Sequence, residues 1–384
     1  MTTAHGAPDA ARTRLLPAWA ATLRAVLRDK GVLLVLLVAP LIYGFFYPWP
    51  YSSEAVTRVP VALVDQDDSA LSRQIGRFAA ANPRLALQFV TPDERQARQA
   101  LWQGRIEGYA VLPHALKRSV LRGEAVVVPV AGNGAYALLN KAVLTGFAEA
   151  VGTVSAGVEI RRLQAGGMAA EQAMASRSPL NARLLALFNS TEGYGSYVVP
   201  AVALLILQQT LLMGAAMLVG GWAERGQLTA TPGAWAGRVA GLSCIGLASG
   251  AFYFGWVFFL QQYPRGGNLP GALLLLVVYV PAVCALGLLV GCWVRDRERA
   301  LMVLLFTALP MFFLTGVPWP AEAMPEPLQL LRWLIPSTLG IQASLRLNQM
   351  GASLAQVWIY LAALGVQLAI SLLLLGLLAR LRRA

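Results

Sequence analysis

The chain has 384 residues, of which 57% are hydrophobic and only 13% charged, and its formal net charge is +12. A soluble protein carries about 25% charged residues, so the composition points to a membrane. The basic balance does not indicate nucleic acid, because outside short arginine clusters there is no dense basic run and no zinc-finger spacing, and Lys and Arg are expected on the cytoplasmic loops of any inner-membrane protein.

A run of about 20 apolar residues crosses a hydrocarbon core about 30 Å thick. Six runs have this character: 31–48, 197–221, 237–261, 271–293, 300–317 and 355–379. The expected fold class is an α-helical integral membrane protein of six transmembrane helices. An α/β extracytoplasmic domain is expected between the first and second spans.

Residues 1–13 are small and polar and read as a disordered tail. Leu15, Leu16, Trp19, Leu23, Val26 and Leu27 then recur at helical spacing among Arg14, Arg24, Arg28 and Lys30. Residues 1–30 therefore comprise a cytoplasmic tail and a basic amphipathic helix suited to the headgroup region. The plainer alternative is positive flanking of the first span. That span, 31–48, contains Pro40 and ends in Tyr43, Tyr47, Trp49 and Tyr51, an aromatic girdle. Pro48 and Pro50 follow it where a cleaved signal would show small residues, so an uncleaved span is expected. Arg12, Arg14, Arg24, Arg28 and Lys30 precede it against Asp9 and Asp29. The positive-inside rule then places the N-terminus in the cytoplasm and residues 49–196 outside.

Within 49–196, strand and helix patterns alternate, which predicts a small α/β domain. Strands are expected at 59–64, 85–90, 108–112 and 125–130, and a further one at 183–189. Helices are expected after Ser69, after Thr91 as cap with Pro92 in the first turn, and over 113–122. A weakly amphipathic pattern from Ala135 to Gln164 predicts one or two long helices on the sheet, broken at Gly166 and Gly167.

Residues 197–384 hold five spans. The second carries Gln208 and Gln209 at mid-membrane depth, where amides need partners or a cavity. The loop 222–236 is cytoplasmic by alternation. The third span is rich in Gly and Ser, which allows close helix approach. The segment 318–354, interrupted by Pro318, Pro320, Pro325, Pro327 and Pro336, reads as outer re-entrant pieces covered by protein. Arg380, Arg382 and Arg383 place the C-terminus inside.

Chemistry-bearing motifs are few. There is no phosphate-binding GxxxxGK[ST] loop and no HExxH, and the only histidines are His5 and His114. Cys244, Cys284 and Cys292 lie in spans and form neither a disulfide framework nor a metal set. Asp65, Asp67 and Asp68 lack the Gly and distal Glu of a calcium loop, so a capped turn is expected. The spans hold no Asp, Glu or Lys near their middles, unlike ion-coupled carriers. No catalytic residue and no metal site is expected.

The layout resembles the ABC-2 type permeases with a large periplasmic domain. Four places carry the likeness: Leu27 to Lys30 leading to Ala39 and Pro40; Val61 to Ser69 with Leu71 to Arg73; Glu224, Arg225 and Gly226 followed by Thr231 and Pro232; and Gly316 to Pro320 with Met324, Pro325, Ile335 and Pro336. Phe188, Asn189 and Ser190 stand where the family often shows Asn-Pro. The resemblance implies an exporter permease in the bacterial inner membrane, working as a pair of halves, itself or a related paralogue, with two copies of an ABC ATPase. ATP and Mg would bind that ATPase, and this chain would hold no cofactor. It implies ATPase coupling at Trp222, Glu224, Arg225, Gln227 and Thr231. It also implies a translocation path near Tyr194, Tyr197, Gln208, Phe312 and Phe313, and movement passed through an interface helix bearing Trp19, Arg24 and Arg28. A periplasmic adaptor is a further possible partner. The expected cargo is hydrophobic or amphipathic: drugs, lipids or metabolites. The rival reading is a scaffold or receptor that presents its outer domain and transports nothing.

Overall fold

A computed structural model describes residues 14–177 and 185–381. The expected N-terminal tail 1–13 and Arg382 and Arg383 lie outside the described residues. The chain is mostly helical and divides into two compact units, one of residues 1–54 and 186–384, the other of residues 55–185.

Helix α1 (Leu15–Arg28) buries Ala18, Thr22 and Val26, a stripe at spacing i, i+4, i+8. Asp29 interrupts the helical backbone, and its Oδ1 accepts from the N–H groups of Gly31 and Val32, both at 3.1 Å. This cap starts α2 (Lys30–Tyr51). A π-helical segment, Leu34–Val38, precedes Pro40. The wider turn relieves the clash of the proline ring with the preceding turn, so the helix continues.

The unit of residues 55–185 has a four-stranded sheet of order β2-β1-β3-β4. Its elements are β1 (Val59–Asp65), α3 (Ala70–Ala81), β2 (Leu85–Thr91), α4 (Glu94–Trp102), β3 (Gly108–Leu112), α5 (Leu116–Arg122), β4 (Val130–Gly132), α6 (Ala137–Ala165) and α7 (Ala170–Arg177). β1 pairs in parallel with β2 and β3, which the intervening helices allow. β4 is antiparallel to β3. Val61, Leu63, Ala110 and Leu112 pack with Ile75, Val143 and Phe147 on one face, while Ala62 and Val64 pack with Ala97 and Ile106 on the other. Two faces are buried, so the β1 run is continuously apolar rather than alternating.

Asp65 is consumed locally. Its Oδ1 accepts from the N–H groups of Asp67 and Asp68, and its Oδ2 from Ser72 Oγ at 2.7 Å. Ser69 and Ser72 form a capping box at the start of α3. Three expectations shift. The fourth strand is at Val130–Gly132 rather than 125–130. The cap of α4 is Asp93, accepting from Arg95 N–H at 2.9 Å, while Thr91 braces the preceding turn by accepting from Asp93 N–H. Residues 185–189 form no strand, and 183–184 lie outside the described residues.

The other unit is built on α8 (Tyr194–Glu224), which is buried on nearly all sides from Val198 to Trp222. Around it lie α9 (Pro232–Leu260), α10 (Leu269–Val294), α11 (Arg297–Leu314), α12 (Glu326–Leu331), α13 (Pro336–Ser344) and α14 (Leu354–Leu381). α8 and α10 approach closely because Gly287 faces Leu212 and Ala215, and Gly291 faces Ala216 and Val219.

Among the described residues, six helices are long and apolar enough to cross a membrane: α2, α6, α8, α9, α10 and α14. Five correspond to expected spans. The sixth, α6, lies against the sheet, where Val143, Phe147 and Ala150 are buried. The expected span 300–317 is α11, whose first turn carries Arg297, Glu298 and Arg299. The helix has 18 residues, at the short end of the range for a crossing, about 17–25.

Candidate functional site

The loop singled out as 222–236 is shorter in the fold, because helix enters it from both sides. α8 ends in a Schellman turn: Gln227 N–H donates to Trp222 O at 2.7 Å, and Gly226 N–H to Ala223 O at 2.9 Å. Gly226 has φ +65°, which explains the glycine after Glu224 and Arg225. Thr231 caps α9 by accepting from Ala234 N–H at 3.0 Å, with Pro232 in the first turn. Glu224, Arg225 and Gln227 are exposed between these two caps.

Arg238 closes the base of the loop. Its guanidinium carbon stands 4.2 Å from the ring centre of Trp222 and 4.3 Å from that of Trp235. Arg238 is buried, and a desolvated cation over an indole is worth about 2 kcal/mol. Arg238→Ala is therefore expected to lower the thermal transition of the purified protein by that order of energy. Arg238→Lys should recover only part, since an ammonium cannot stack flat on two rings. An unchanged transition in Arg238→Ala would show that the sandwich does not brace the loop.

A second junction ties three elements. Glu224 Oε1 accepts from the backbone N–H of Arg297 at 3.1 Å. The Arg297 guanidinium grips Asp29 in a fork, with both N···O distances 2.6 Å. The end of α8, the start of α11 and the α1–α2 corner are thus joined through three residues, Glu224, Arg297 and Asp29. Gly31 and Gly220 make room: a Cβ at Gly31 would meet the Arg297 guanidinium, and one at Gly220 would lie 2.7 Å from Arg297 N. The Asp29 carboxyl is held below its ordinary value, chiefly by its hydrogen bonds from Arg297; burial opposes this, and the Val32 and Gly31 N–H groups reinforce it.

The remaining candidates are dispersed. Tyr194 packs on Tyr51 at 5.4 Å and on Tyr197 at 6.3 Å. The Tyr197 hydroxyl donates to Val317 O. Gln208 is fully buried. Its Oε1 accepts from Ser337 N–H at 2.5 Å, at the start of α13, and its Nε2 lies 3.4 Å from Met311 Sδ. It is tied into contacts between helices, the first of the two fates open to a mid-span amide. Phe312 packs on Phe313, which is half exposed. On α1, Trp19 Nε1 donates to Cys244 Sγ at 3.4 Å, Arg24 bonds back to Ala20 O, and Arg28 is exposed in the last turn. The buried stripe of α1 faces α9: Ala18 lies against Gly237, and Thr22 against Gly241.

A family model described as ABC-2 family transporter protein matches residues 30–377. The chain belongs to this family. No curated protein matches it. It is thus a multi-pass membrane permease, the membrane subunit of an ABC transporter, which associates with an ABC ATPase rather than being one.

Three residues of the permease's site escaped sequence reasoning. Asp29 carried a local signal, an acid directly before a helical run, which reads as an N-cap. Its pairing with Arg297 spans 268 positions and leaves no trace in either neighbourhood. The third is Glu54. It accepts from the N–H and hydroxyl of Ser196 at 2.9 and 3.0 Å and so caps α8 across the insertion.

Proposed function

We propose that this permease forms half of an ATP-driven exporter of hydrophobic or amphipathic compounds. The cargo class is drugs, lipids or related metabolites, moved out of the cytoplasm or the inner leaflet. A separate ATPase, present in two copies, binds ATP and Mg and seats the exposed 225–231 loop. Two permease halves, identical or paralogous, would pair. The positive ends of the spans favour cytoplasmic termini in a bacterial inner membrane, and residues 55–185 would then lie on the outer side.

The observation that carries this reading is the shared junction of Glu224, Arg297 and Asp29. A push on the loop reaches α8 directly, α11 through the Glu224–Arg297 bond, and α1 with α2 through the Arg297–Asp29 fork. ATP-driven closure would in this way move several helices together, as a shift between inward- and outward-open populations. A scaffold that only displays its outer domain has no use for such wiring.

The test is copurification from native membranes in mild detergent, followed by ATPase assays. A stoichiometric P-loop ATPase should accompany the chain. Arg225→Ala and Gln227→Ala, both exposed on the loop, should reduce substrate-stimulated hydrolysis about tenfold or more with an unchanged thermal transition. Glu224→Ala should reduce hydrolysis and also loosen the junction. Absence of any ATPase over several detergents would favour the scaffold.

A further inference from the structure

The unit of residues 55–185 contains an apolar trough that none of the transport machinery above uses. Two cavities of ≈360 Å³ and ≈430 Å³ adjoin each other, with Leu71, Val120, Val158 and Arg162 lining both. Each lies within the range of small-molecule sites, about 300–1,000 Å³. The walls follow from the fold. α3 contributes Leu71 and Ile75, α5 contributes Leu116 and Val120, and α6 contributes Val151, Val154 and Val158. Each set recurs at spacing i, i+3 or i+4, so each helix turns one aliphatic stripe inward. The stretch that was expected to be a fourth strand, 125–130, instead runs alongside the space with Val126 and Val128 lining it.

This accounts for the hydropathy of α6. Its first half meets the sheet through Val143 and Phe147, and its second half lines the trough. The same stripe ends in charge. Arg161 and Arg162, with Lys117 from α5, line the second cavity. None of these three has an ion-pair partner among the described residues. The carboxylates Glu124 and Glu159 line only the first cavity. The first cavity thus combines an aliphatic wall with Glu124 and Glu159, and the second is bordered by three cations with no carboxylate in its lining.

We propose that this trough binds a long-chain amphiphile with an anionic head, of the long-chain carboxylate type. The chain lies along the Val, Leu and Ile walls, and the head sits among Lys117, Arg161 and Arg162. Guanidinium forks pair with carboxylates in two parallel hydrogen bonds. A cationic head would meet three like charges there.

The full chain in phosphatidylcholine nanodiscs, labelled with a diazirine-bearing palmitate and mapped by mass spectrometry, tests this. Label is expected in peptides covering 116–128 and 151–162. Palmitate should displace it at least tenfold more effectively than hexadecanol, and hexadecyltrimethylammonium should not displace it. Arg161→Glu with Arg162→Glu should cut trough labelling about tenfold. Val158→Trp, which fills the space, should block it with an unchanged thermal transition. Should the double reversal unfold the unit, Lys117→Glu, at an exposed position on another helix, should cut labelling several-fold by itself. Label confined to the membrane helices, or equal displacement by the cationic competitor, overturns the proposal. So does labelling that the charge reversals leave intact. The experiment needs neither ATP nor a partner, so its failure leaves the exporter reading standing.

Discussion

Arg297→Ala is expected to abolish coupled transport while leaving the fold assembled. The substitution keeps the backbone N–H that Glu224 accepts from, and removes only the fork to Asp29. Both side chains are mostly buried, at 29% and 24% exposure. Stranding the Asp29 carboxylate then costs about 1.5–3 kcal/mol, the range for a hydrogen bond to a charged group. Asp29→Asn separates the two jobs of the aspartate. It preserves an Oδ1 to cap Gly31 and Val32 but gives up the charge. It should reproduce the transport defect of Arg297→Ala, and the two together should be no worse than either alone. Additive defects in that cycle would mean that the residues act separately and that the fork is incidental. The pH dependence has a definite sign. The folded Asp29 carboxyl titrates below its unfolded value of about 3.9. Its contribution is therefore fully present above about pH 4 and is lost as pH falls through the folded value. Melting curves of the wild type and Asp29→Asn should differ at neutral pH and converge in acid. Any loss of activity between pH 5 and 8 has another origin.

Gly220→Ala is expected to disrupt the same junction, and Gly221→Ala is expected to be tolerated. The two glycines are neighbours in α8, and replacing either gains about 1 kcal/mol of helix propensity. Their surroundings differ. A Cβ at Gly220 would lie 2.7 Å from Arg297 N and 2.8 Å from Arg297 Cα, which are backbone atoms that cannot rotate away. A Cβ at Gly221 would meet only the Arg225 guanidinium at 3.5 Å, an ordinary contact with a mobile side chain. Overpacking of the first kind costs about 1–3 kcal/mol, and here it also forces α8 away from the start of α11. Thermal unfolding and transport should both fall in Gly220→Ala and both hold in Gly221→Ala. Equal behaviour of the two variants would show that the close approach at Gly220 does not matter.

Some elements were plain in the chain before any fold was known. Five of the runs 31–48, 197–221, 237–261, 271–293 and 355–379 reappear as helices within a few residues, because about 20 apolar residues in a row admit few structures with satisfied backbones. The ends of α8 and α9 were not read correctly: the loop was expected at 222–236, whereas Gly226 closes α8 and Thr231 caps α9. The alternation of strand and helix over 59–122 was readable, since each segment carries its own period and cap. The misplacements fall where neighbouring signals compete. Thr91 and Asp93 are both capable caps two residues apart, and only the fold chooses Asp93. Val126 and Val128 look like strand but line a space instead.

What the sequence by itself determined is therefore local and one-dimensional. It displayed which runs are apolar enough to bury or to span, the approximate extent of most helices, and which family motifs are present. Periodicity and capping involve residues within a turn or two of each other, so the order of the chain displays them. Only the tertiary structure decided what the polar residues do. It joined Asp29 to Arg297, gave Glu224 a backbone partner on another helix and placed Arg238 between two tryptophans. It turned Gln208 into the cap of α13, and it assigned the apolar helix α6 to a sheet and a trough. Each of these depends on contacts between positions tens to hundreds of residues apart. Their energies are set by burial and by the fork and stacking geometry of particular atoms, and neither quantity exists until the helices are packed.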